Sequence, residues 1–364
     1  MKVIVLAQPN DNHTAPVKWA LEQGGYQVAC WGGLSWIERQ QASLLLDERP
    51  TVSLGPHAVE PGDAVWIRRP DPTVVNPNVS EADRKFAELE YLSFYRCIAY
   101  MLETLPVRCI NKYSVARFID NKSVQLHLAR TCGLKVPNAL MSNSPRMVLN
   151  RFEHNPARTI CKGFNQHVWQ RQSLGGVAIT ETFELTRDEL PEDEILTYAP
   201  SIYQDMVVKQ FDVRTVVMGR QVYSFALHTP AKALDWRGDA SVGDVAVDIV
   251  ATPPEVESGI LAFAQKAGIC FGSIDFAVDM NGQWWFLEIN EQGQFLWLDQ
   301  ANRAAGTLER FCAFLTAPEA STQPLEERAG LFPSFTEYEK FVDKEPVEDI
   351  ATAAVASPYF SQEP

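Results

Sequence analysis

Short apolar runs and one long helical pattern organise the first hundred residues. The runs MKVIVLAQ, YQVACW and DAVWIRR predict strands, and a helical pattern lies between the first two. Near-helical spacing of apolar residues over residues 81–105 predicts a long amphipathic helix that packs against the sheet. The residues of this apolar face are Phe86, Leu89, Leu92, Ile98, Met101 and Leu105. The pattern therefore predicts an open α/β lobe at the start of the chain.

The middle of the chain alternates short strands with turn and helix-end signals. A helical stretch stops at Gly133, since glycine suits the left-handed conformation just past a helix end, and the extended segment KVPNALMS follows. The segments RTICKGF and GGVAITETF are predicted to be paired strands joined by a polar loop over residues 165–173. APSIYQDMV predicts another strand, which leads into a hairpin with its turn near Gly219. A second, small lobe is predicted to start near Gly133.

A helix and a hairpin with clear end signals follow. Thr252 and Glu255 fit a capping box, proline occupies the first helical position, and Gly268 follows the last turn. The next segment, GSIDFAVDMNGQWWFLEIN, predicts two strands joined by a two-residue turn, Asn281-Gly282.

Three oxygen-bearing side chains interrupt this apolar hairpin. Glu288 and Asn290 are two residues apart and point to one face of a strand, and pairing across the hairpin can bring Asp275 near them. Two carboxylates and an amide suit a hard cation such as Mg²⁺. The alternative is an exposed strand that carries acids by chance, but the aromatic residues 284–286 favour a buried strand, in which carboxylates need a compensating charge.

Length, charge and cysteine usage narrow the class of protein. A chain of 364 residues predicts two or three domains. The net charge of −14 disfavours nucleic acid as a partner, because nucleic-acid binding depends on neutralising phosphates. The apolar run at residues 3–7 is too short for a signal peptide or a membrane span, which predicts a cytoplasmic protein. The seven scattered cysteines indicate neither a disulfide framework nor a zinc site.

A metal that holds phosphates requires cationic partners elsewhere in the chain. Each candidate could alone be a solvated surface charge, but Lys162 ends a strand, and Asp212 and Arg214 alternate onto one strand face. The candidates are Lys122, Lys162, Lys209, Arg214 and Arg237. The sequence contains no Walker A or GxGxxG motif, so a P-loop or Rossmann nucleotide site is not expected.

The order of these motifs resembles that of the ATP-grasp ligases over roughly residues 1–312. More narrowly, VWIRRPDP, CINK, NKSVQLHLARTCGLKVPNALMSNSP and FLEINEQGQFLWLD are similar to segments of the graspetide synthetases, the maturases of microviridin-type peptides. The resemblance implies an α+β ATP-grasp fold in which two α+β lobes clasp ATP after an N-terminal α/β lobe. The implied divisions are 1–108 (N-terminal lobe), 109–207 (central lobe), 208–316 (C-terminal lobe with the Mg²⁺ site) and 317–364 (an arm or partly disordered tail).

The resemblance also implies a role for each candidate residue. Lys122 and Lys162 would contact phosphates, and Arg214 and Arg237 would steady the transferred phosphoryl group and the acyl phosphate. The residues implied to hold adenine at the hinge between the lobes are Gln204, Asp205 and Val207, with Asp212 at the ribose and Lys209 nearby. The implied Mg²⁺ ligands are Asp275, Glu288 and Asn290, the same three residues that the hairpin pattern indicated.

The activity implied is ATP-dependent ligation on a ribosomal precursor peptide with a helical leader and an acidic core, by a homodimer. The chain departs from the family pattern at KGF after Lys162, at Glu291 and in the loop 165–173, so two alternatives stay open. One is a ligase for amino acids or a small molecule, and the other is a peptide-binding protein without catalysis. The leader would dock at residues 135–145 or near Trp169. Arg68 and Arg69 would cap the carboxylate-bearing segment, reach the cleft, or form ion pairs with acids such as Asp71 or Glu81.

Overall fold

The computed structural model describes most of the chain. The described residues are 1–35, 41–70, 74–155, 157–165, 168–171, 176–179, 182–228, 245–317 and 325–344. Among these residues, no helix is both long enough and apolar enough to cross a membrane.

The N-terminal lobe is built on a parallel sheet with the strand order β2-β1-β6-β7. Its elements are β1 (Lys2–Ala7), α1 (Thr14–Gln23), β2 (Gln27–Cys30), β3 (Ala42–Leu45), β4 (Thr51–Leu54), β5 (His57–Ala58), β6 (Ala64–Arg69), α2 (Glu81–Leu102) and β7 (Arg108–Ile110). Strands β3, β4 and β5 form a small antiparallel sheet of their own. The three predicted strands and both predicted helices of this lobe are confirmed.

Helix α2 packs on the sheet along only part of its length. Ile98 and Leu102 are buried in a core cluster with β1 and β6. In the first half of the helix, by contrast, Phe86 is 65% exposed and Leu89 is 49% exposed. The prediction that the whole apolar face packs against the sheet is therefore wrong for this half.

The described residues of the central part form four α-helices and an antiparallel sheet with the order β12-β9-β13-β8. The elements are α3 (Tyr113–Ile119), α4 (Lys122–Thr131), β8 (Ala139–Ser142), α5 (Pro145–His154), β9 (Thr159–Lys162), β10 (Val168–Arg171), β11 (Gly176–Ile179), β12 (Phe183–Leu185), α6 (Asp193–Tyr198) and β13 (Ser201–Asp205). GGVAITETF was predicted as one strand paired with RTICKGF, but it divides into β11 and β12, and only β12 pairs with β9. Strand β10 lies inside the predicted polar loop and pairs with β11.

The C-terminal part forms an antiparallel sheet with the order β16-β15-β14-β17-β18. Its elements are β14 (Lys209–Met218), β15 (Gln221–His228), β16 (Ala246–Val250), α7 (Pro254–Ala267), β17 (Phe271–Asp279) and β18 (Trp284–Asn290). Gly219 and Gly268 both have positive φ, as their predicted turn and helix-end positions require. The predicted capping box is wrong, because the Thr252 hydroxyl contacts Ser224 Oγ at 2.8 Å and the helix begins two residues later.

The two faces of this sheet are covered differently. One face buries Ile274 and Phe276 against α3, α4 and α7. The other face packs Val216 and Phe271 against the N-terminal lobe and the last helices. The sheet therefore lies between the N-terminal lobe and the helices that begin the central part.

The described part of the chain ends in four short helices, of which two belong to the predicted tail. They are α8 (Trp297–Ala301), α9 (Thr307–Thr316), α10 (Leu325–Ala329) and α11 (Phe335–Val342). Trp19 of α1 contacts the rings of Tyr338 and Phe341, and Tyr26 stacks on Phe332. Residues 325–344 are therefore packed helices on the N-terminal lobe, and residues 345–364 lie outside the described part.

Candidate active site

Strands β17 and β18 bring the three predicted metal ligands to one face of the sheet. Asp275 is directly opposite Glu288, and Ser273 is directly opposite Asn290. Residues paired across an antiparallel ladder, and residues two apart on one strand, share a face. The turn lies where it was predicted but is longer than two residues, since β17 ends at Asp279 and β18 starts at Trp284. The side chains converge, and their role as metal ligands stays a prediction.

A buried ion pair joins Asp275 to the predicted phosphoryl contact, Arg214. These residues are opposite each other on β17 and β14, and Arg214 Nη1 donates to Asp275 Oδ1 at 2.6 Å. Arg214 Nη2 also donates to the carbonyl of Gln294 at 3.2 Å. The buried carboxylate thus has the compensating charge that its location requires.

Lys122 reaches the second carboxylate from the start of α4. Its Nζ donates to Glu288 Oε2 at 2.9 Å. One turn later, the buried Gln125 holds α4 against β18, because its amide accepts from the backbone N–H of Ile289 at 3.0 Å and donates to the Ile289 carbonyl at 3.0 Å. Gln125 was missed, although a polar residue on the buried face of an amphipathic helix, three residues after Lys122, is a sequence signal for it.

Lys162 and Gln204 lie on one face of the central sheet. Lys162 is opposite Ile202, and Ile160 is opposite Gln204, so all four side chains share a face. The other face of the sheet is covered by α5 and α6. The Gln204 side chain is 1% exposed, and neither its amide oxygen nor its amide nitrogen has a partner in the described part of the chain. A buried amide of this kind fits a ligand that offers both a donor and an acceptor.

The Asp205 carboxylate is occupied by neighbouring side chains. It accepts from Arg151 at 2.6 Å and Asn155 at 2.6 Å through Oδ1, and from Asn138 at 2.9 Å through Oδ2. Its backbone N–H donates to the Asn138 carbonyl. These contacts of the Asp205 carboxylate fix the segment between the central sheet and the C-terminal sheet. The adenine role predicted for Asp205 therefore does not depend on its side chain.

The remaining predicted residues lie on or beside β14. Lys209 Nζ donates to Asp212 Oδ2 at 2.6 Å, and Asp212 shares a strand face with Arg214. Val207 is half-buried in the link between β13 and β14. Arg237 lies outside the described residues.

The N-terminal lobe holds the loop that follows β18. The sequence did not predict these contacts in detail. Arg68 Nη1 donates to the carbonyls of Gln292 at 3.3 Å and Gly293 at 3.2 Å. His13 Nε2 accepts from the backbone N–H of Phe295 at 3.0 Å. Of the alternatives for Arg68, capping of the carboxylate-bearing segment is the one observed. The ion-pair partner of Arg68 is Asp11, with 3.5 Å between Arg68 Nε and Asp11 Oδ1.

Burial shifts the pKa of two groups at this loop. Burial and the charge of Arg68 together lower the pKa of His13 to about 3, so the ring is neutral at ordinary pH. Burial and the charge of Asp120 together raise the pKa of Glu291 to about 7. Both shifts show that these groups are largely removed from water.

The donor set fits Mg²⁺. Asp275, Glu288 and Asn290 supply only oxygen ligands of the kind that this ion prefers. The hydroxyl of Ser273, opposite Asn290, is fully buried and has no partner in the described part of the chain. A hard cation with bound water would satisfy such a group.

Comparison with solved structures gives a clear result at the level of the fold. No protein-family model matches the sequence, and no curated protein matches it at a significant level. A RiPP-associated ATP-grasp ligase from Chryseobacterium gregarium, solved with ADP and a leader and core peptide, is 22% identical, with a TM-score of 0.76 over 89% of this chain and 99% of that chain.

Two further solved structures are similar to this chain in fold. The macrocyclase MdnC from Microcystis aeruginosa MRC, bound with the precursor peptide MdnA, is 21% identical, with a TM-score of 0.69 over 83% of this chain and 95% of that chain. The ATP-grasp ligase PsnB, solved with a minimal precursor variant, Mg and ADP, is 21% identical, with a TM-score of 0.67 over 86% of this chain and 97% of that chain. The predicted α+β architecture is confirmed, and the chain has the fold of the ATP-grasp ligases.

Proposed function

We propose that the protein is an ATP-dependent ligase that forms ester or amide crosslinks between side chains of a ribosomal precursor peptide. The observation that carries this proposal is the convergence of Asp275, Glu288 and Asn290 with two cations, Lys122 and Arg214, on one face of the β17–β18 hairpin. Such a set of oxygen ligands and positive charges suits phosphoryl transfer. The similar structures solved with precursor peptides, two of them with ADP as well, support peptide as the substrate class.

The reaction needs two displacements. A carboxylate oxygen of the peptide takes the γ-phosphoryl group of ATP and ADP leaves; a hydroxyl or amine then attacks the acyl carbon, so that phosphate and a proton leave. Mg²⁺ held by the hairpin residues would supply charge neutralisation at the phosphates.

The protein's own residues supply binding and charge. Lys122 and Lys162 would neutralise phosphate oxygens, Gln204 would pair with adenine, and the Lys209–Asp212 pair would lie at the ribose. Arg214 and Arg237 would stabilise the acyl phosphate. In this proposal ATP lies between residues 109–207 and 208–316, with residues 1–108 as the preceding lobe.

Incubation with ATP, Mg²⁺ and a cognate precursor should yield one ADP per linkage and a peptide lighter by one water per linkage. Because carboxylate activation consumes the γ-phosphate, ADP and dehydration must rise together. Mass spectrometry with coupled ADP measurement checks this. A product heavier by an added amino acid or small molecule would support the ligase alternative, and unchanged masses across several acidic precursors would contradict the proposal.

Leader dependence is the control for this assay. A protein with a net charge of −14 cannot attract an acidic peptide over long range, so recognition should rest on an apolar contact with a helical leader. A core peptide without its leader should be processed poorly and be rescued by leader added in trans. The candidate docking regions are residues 135–145, which include the edge strand β8, and the neighbourhood of Trp169 on β10.

We also propose a homodimer formed through the exposed half of α2. Phe86 and Leu89 lie on adjacent turns of one helix face, and such apolar side chains favour a protein contact. Wild-type protein should have a dimer mass by light scattering at micromolar concentration, and the double variant Phe86→Ser/Leu89→Ser should be monomeric. Leu46→Ser removes a leucine that is more exposed than Leu89 from another part of the lobe and should stay dimeric. A wild-type monomer would contradict the proposal.

A further inference from the structure

The loop over residues 291–296 is held along its whole length by groups distant in sequence. Asn111 Nδ2 donates to the Glu291 carbonyl at 2.9 Å, and Arg214 donates to the Gln294 carbonyl. Gly293 has a φ of +53°, and a Cβ there would lie 2.9 Å from the Phe271 ring. Because the loop is fixed in this way, a change in its position would also move Asn290, the residue before it.

Arg68 makes the most deeply buried contact between the N-terminal lobe and this loop. Its side chain is 1% exposed, and it donates to two successive carbonyls of the loop. Asp11 balances its charge, and the Asp11 carboxylate is itself fixed because it accepts from the backbone N–H of Thr14 at 3.0 Å. A buried, paired charge of this kind imposes a geometry rather than adding much stability.

His13 completes the contact on the other side of the loop. Its Nε2 accepts from Phe295 N–H at 3.0 Å and lies 3.4 Å from the N–H of Leu296, while its Nδ1 lies 3.3 Å from Arg68 Nη2. The ring also meets Phe295 edge-on at 5.2 Å between centroids. Arg68 therefore donates to carbonyls of the loop, and His13 accepts from a backbone N–H group of the loop.

We propose that Arg68 and His13 are positioning residues, which set the place of Asn290 and Glu288 by holding the loop that follows them. This inference rests on the proposed Mg²⁺ and nucleotide site. It assigns the N-terminal lobe a part in forming that site, although this lobe contributes none of the proposed metal ligands. Groups that orient metal ligands typically change metal affinity about 10- to 100-fold when they are lost.

The test compares two amides at position 13. In His13→Gln the amide oxygen reaches the position of Nε2 and can accept from Phe295, whereas in His13→Asn the shorter side chain reaches only the position of Nδ1. The readout is ADP binding by calorimetry at stepped Mg²⁺ concentrations. His13→Asn and Arg68→Met should raise the Mg²⁺ concentration for half-maximal binding about tenfold or more, and His13→Gln should stay near wild type.

Arg108→Met is the matched control. Arg108 also joins the N-terminal lobe to the rest of the chain, by donating to the carbonyls of Phe314 at 2.6 Å, Leu315 at 3.2 Å and Ala317 at 3.2 Å, which lie outside the loop. It should lower thermal stability without changing the Mg²⁺ response. An unchanged Mg²⁺ response in both His13→Asn and Arg68→Met would overturn the positioning role. Wild-type protein that binds no ADP with Mg²⁺ would instead contradict the proposed function and, with it, this role.

Discussion

Glu288→Gln should abolish ADP formation, with a loss of about 10³-fold or more, while the protein stays folded. The substitution keeps the shape of the side chain but removes the charge that a hard cation requires and that pairs with Lys122 at 2.9 Å. Loss of the ion pair should cost only about 1 kcal/mol or less, since both side chains are partly exposed. ADP formation with the precursor that supports wild-type turnover, together with thermal unfolding, measures both effects.

Asp279→Asn is the matched control for this variant. Asp279 lies on the same hairpin, but its carboxylate accepts from Trp285 Nε1 at 3.0 Å and from backbone N–H groups of the turn. Its substitution should loosen the turn and leave turnover near the wild-type level. Peptide binding should survive in both variants. ADP formation by Glu288→Gln at a rate close to wild type would show that Glu288 is not a metal ligand.

The hairpin was predictable because its signals are local. Alternation along each strand and the turn signal near Gly282 predicted the two strands and the position of the turn. The pairing of Asp275 with Glu288 also depends on a bulge between Asp275 and Phe276, which shifts the register by one residue and which alternation alone does not predict. Helix ends at glycines were predictable for the same reason, because left-handed backbone is a local requirement.

Contacts between distant segments were not predictable in the same way. Periodicity shows that α2 has an apolar face, but not that Ile98 and Leu102 are buried in the core while Phe86 and Leu89 stay exposed. His13 meets Phe295 across 282 positions, and no local pattern encodes such a contact. The charge of Arg68 at the end of a buried strand indicated a special role, but only the structure identifies the loop that it holds.

The central lobe shows a third limit of prediction from the sequence. Four residues of β10 gave too short a pattern to distinguish a strand from a polar loop, and its pairing with β11 moved the partner of β9 to β12. Thr252 illustrates competition between local and tertiary bonding. Its hydroxyl has the sequence position of a cap, yet it contacts Ser224, which lies 28 residues away.

Arg214→Ala should lower the free energy of unfolding by about 3–5 kcal/mol, because it removes the cation that pairs with the buried Asp275 carboxylate at 2.6 Å. The double variant Arg214→Met/Asp275→Leu removes both charges and should recover most of this loss while remaining inactive. Urea unfolding at neutral pH, in a double-mutant cycle of wild type, Arg214→Met, Asp275→Leu and the double variant, measures the coupling directly. Arg158→Met, which breaks an exposed pair with Glu184, is the control and should unfold like the wild type. If Arg214→Ala were as stable as the wild type, the pair would not fix the sheet at this point, and Asp275 would be free to serve the metal alone. If the double variant recovers stability without recovering turnover, the two residues serve the reaction as well as the fold.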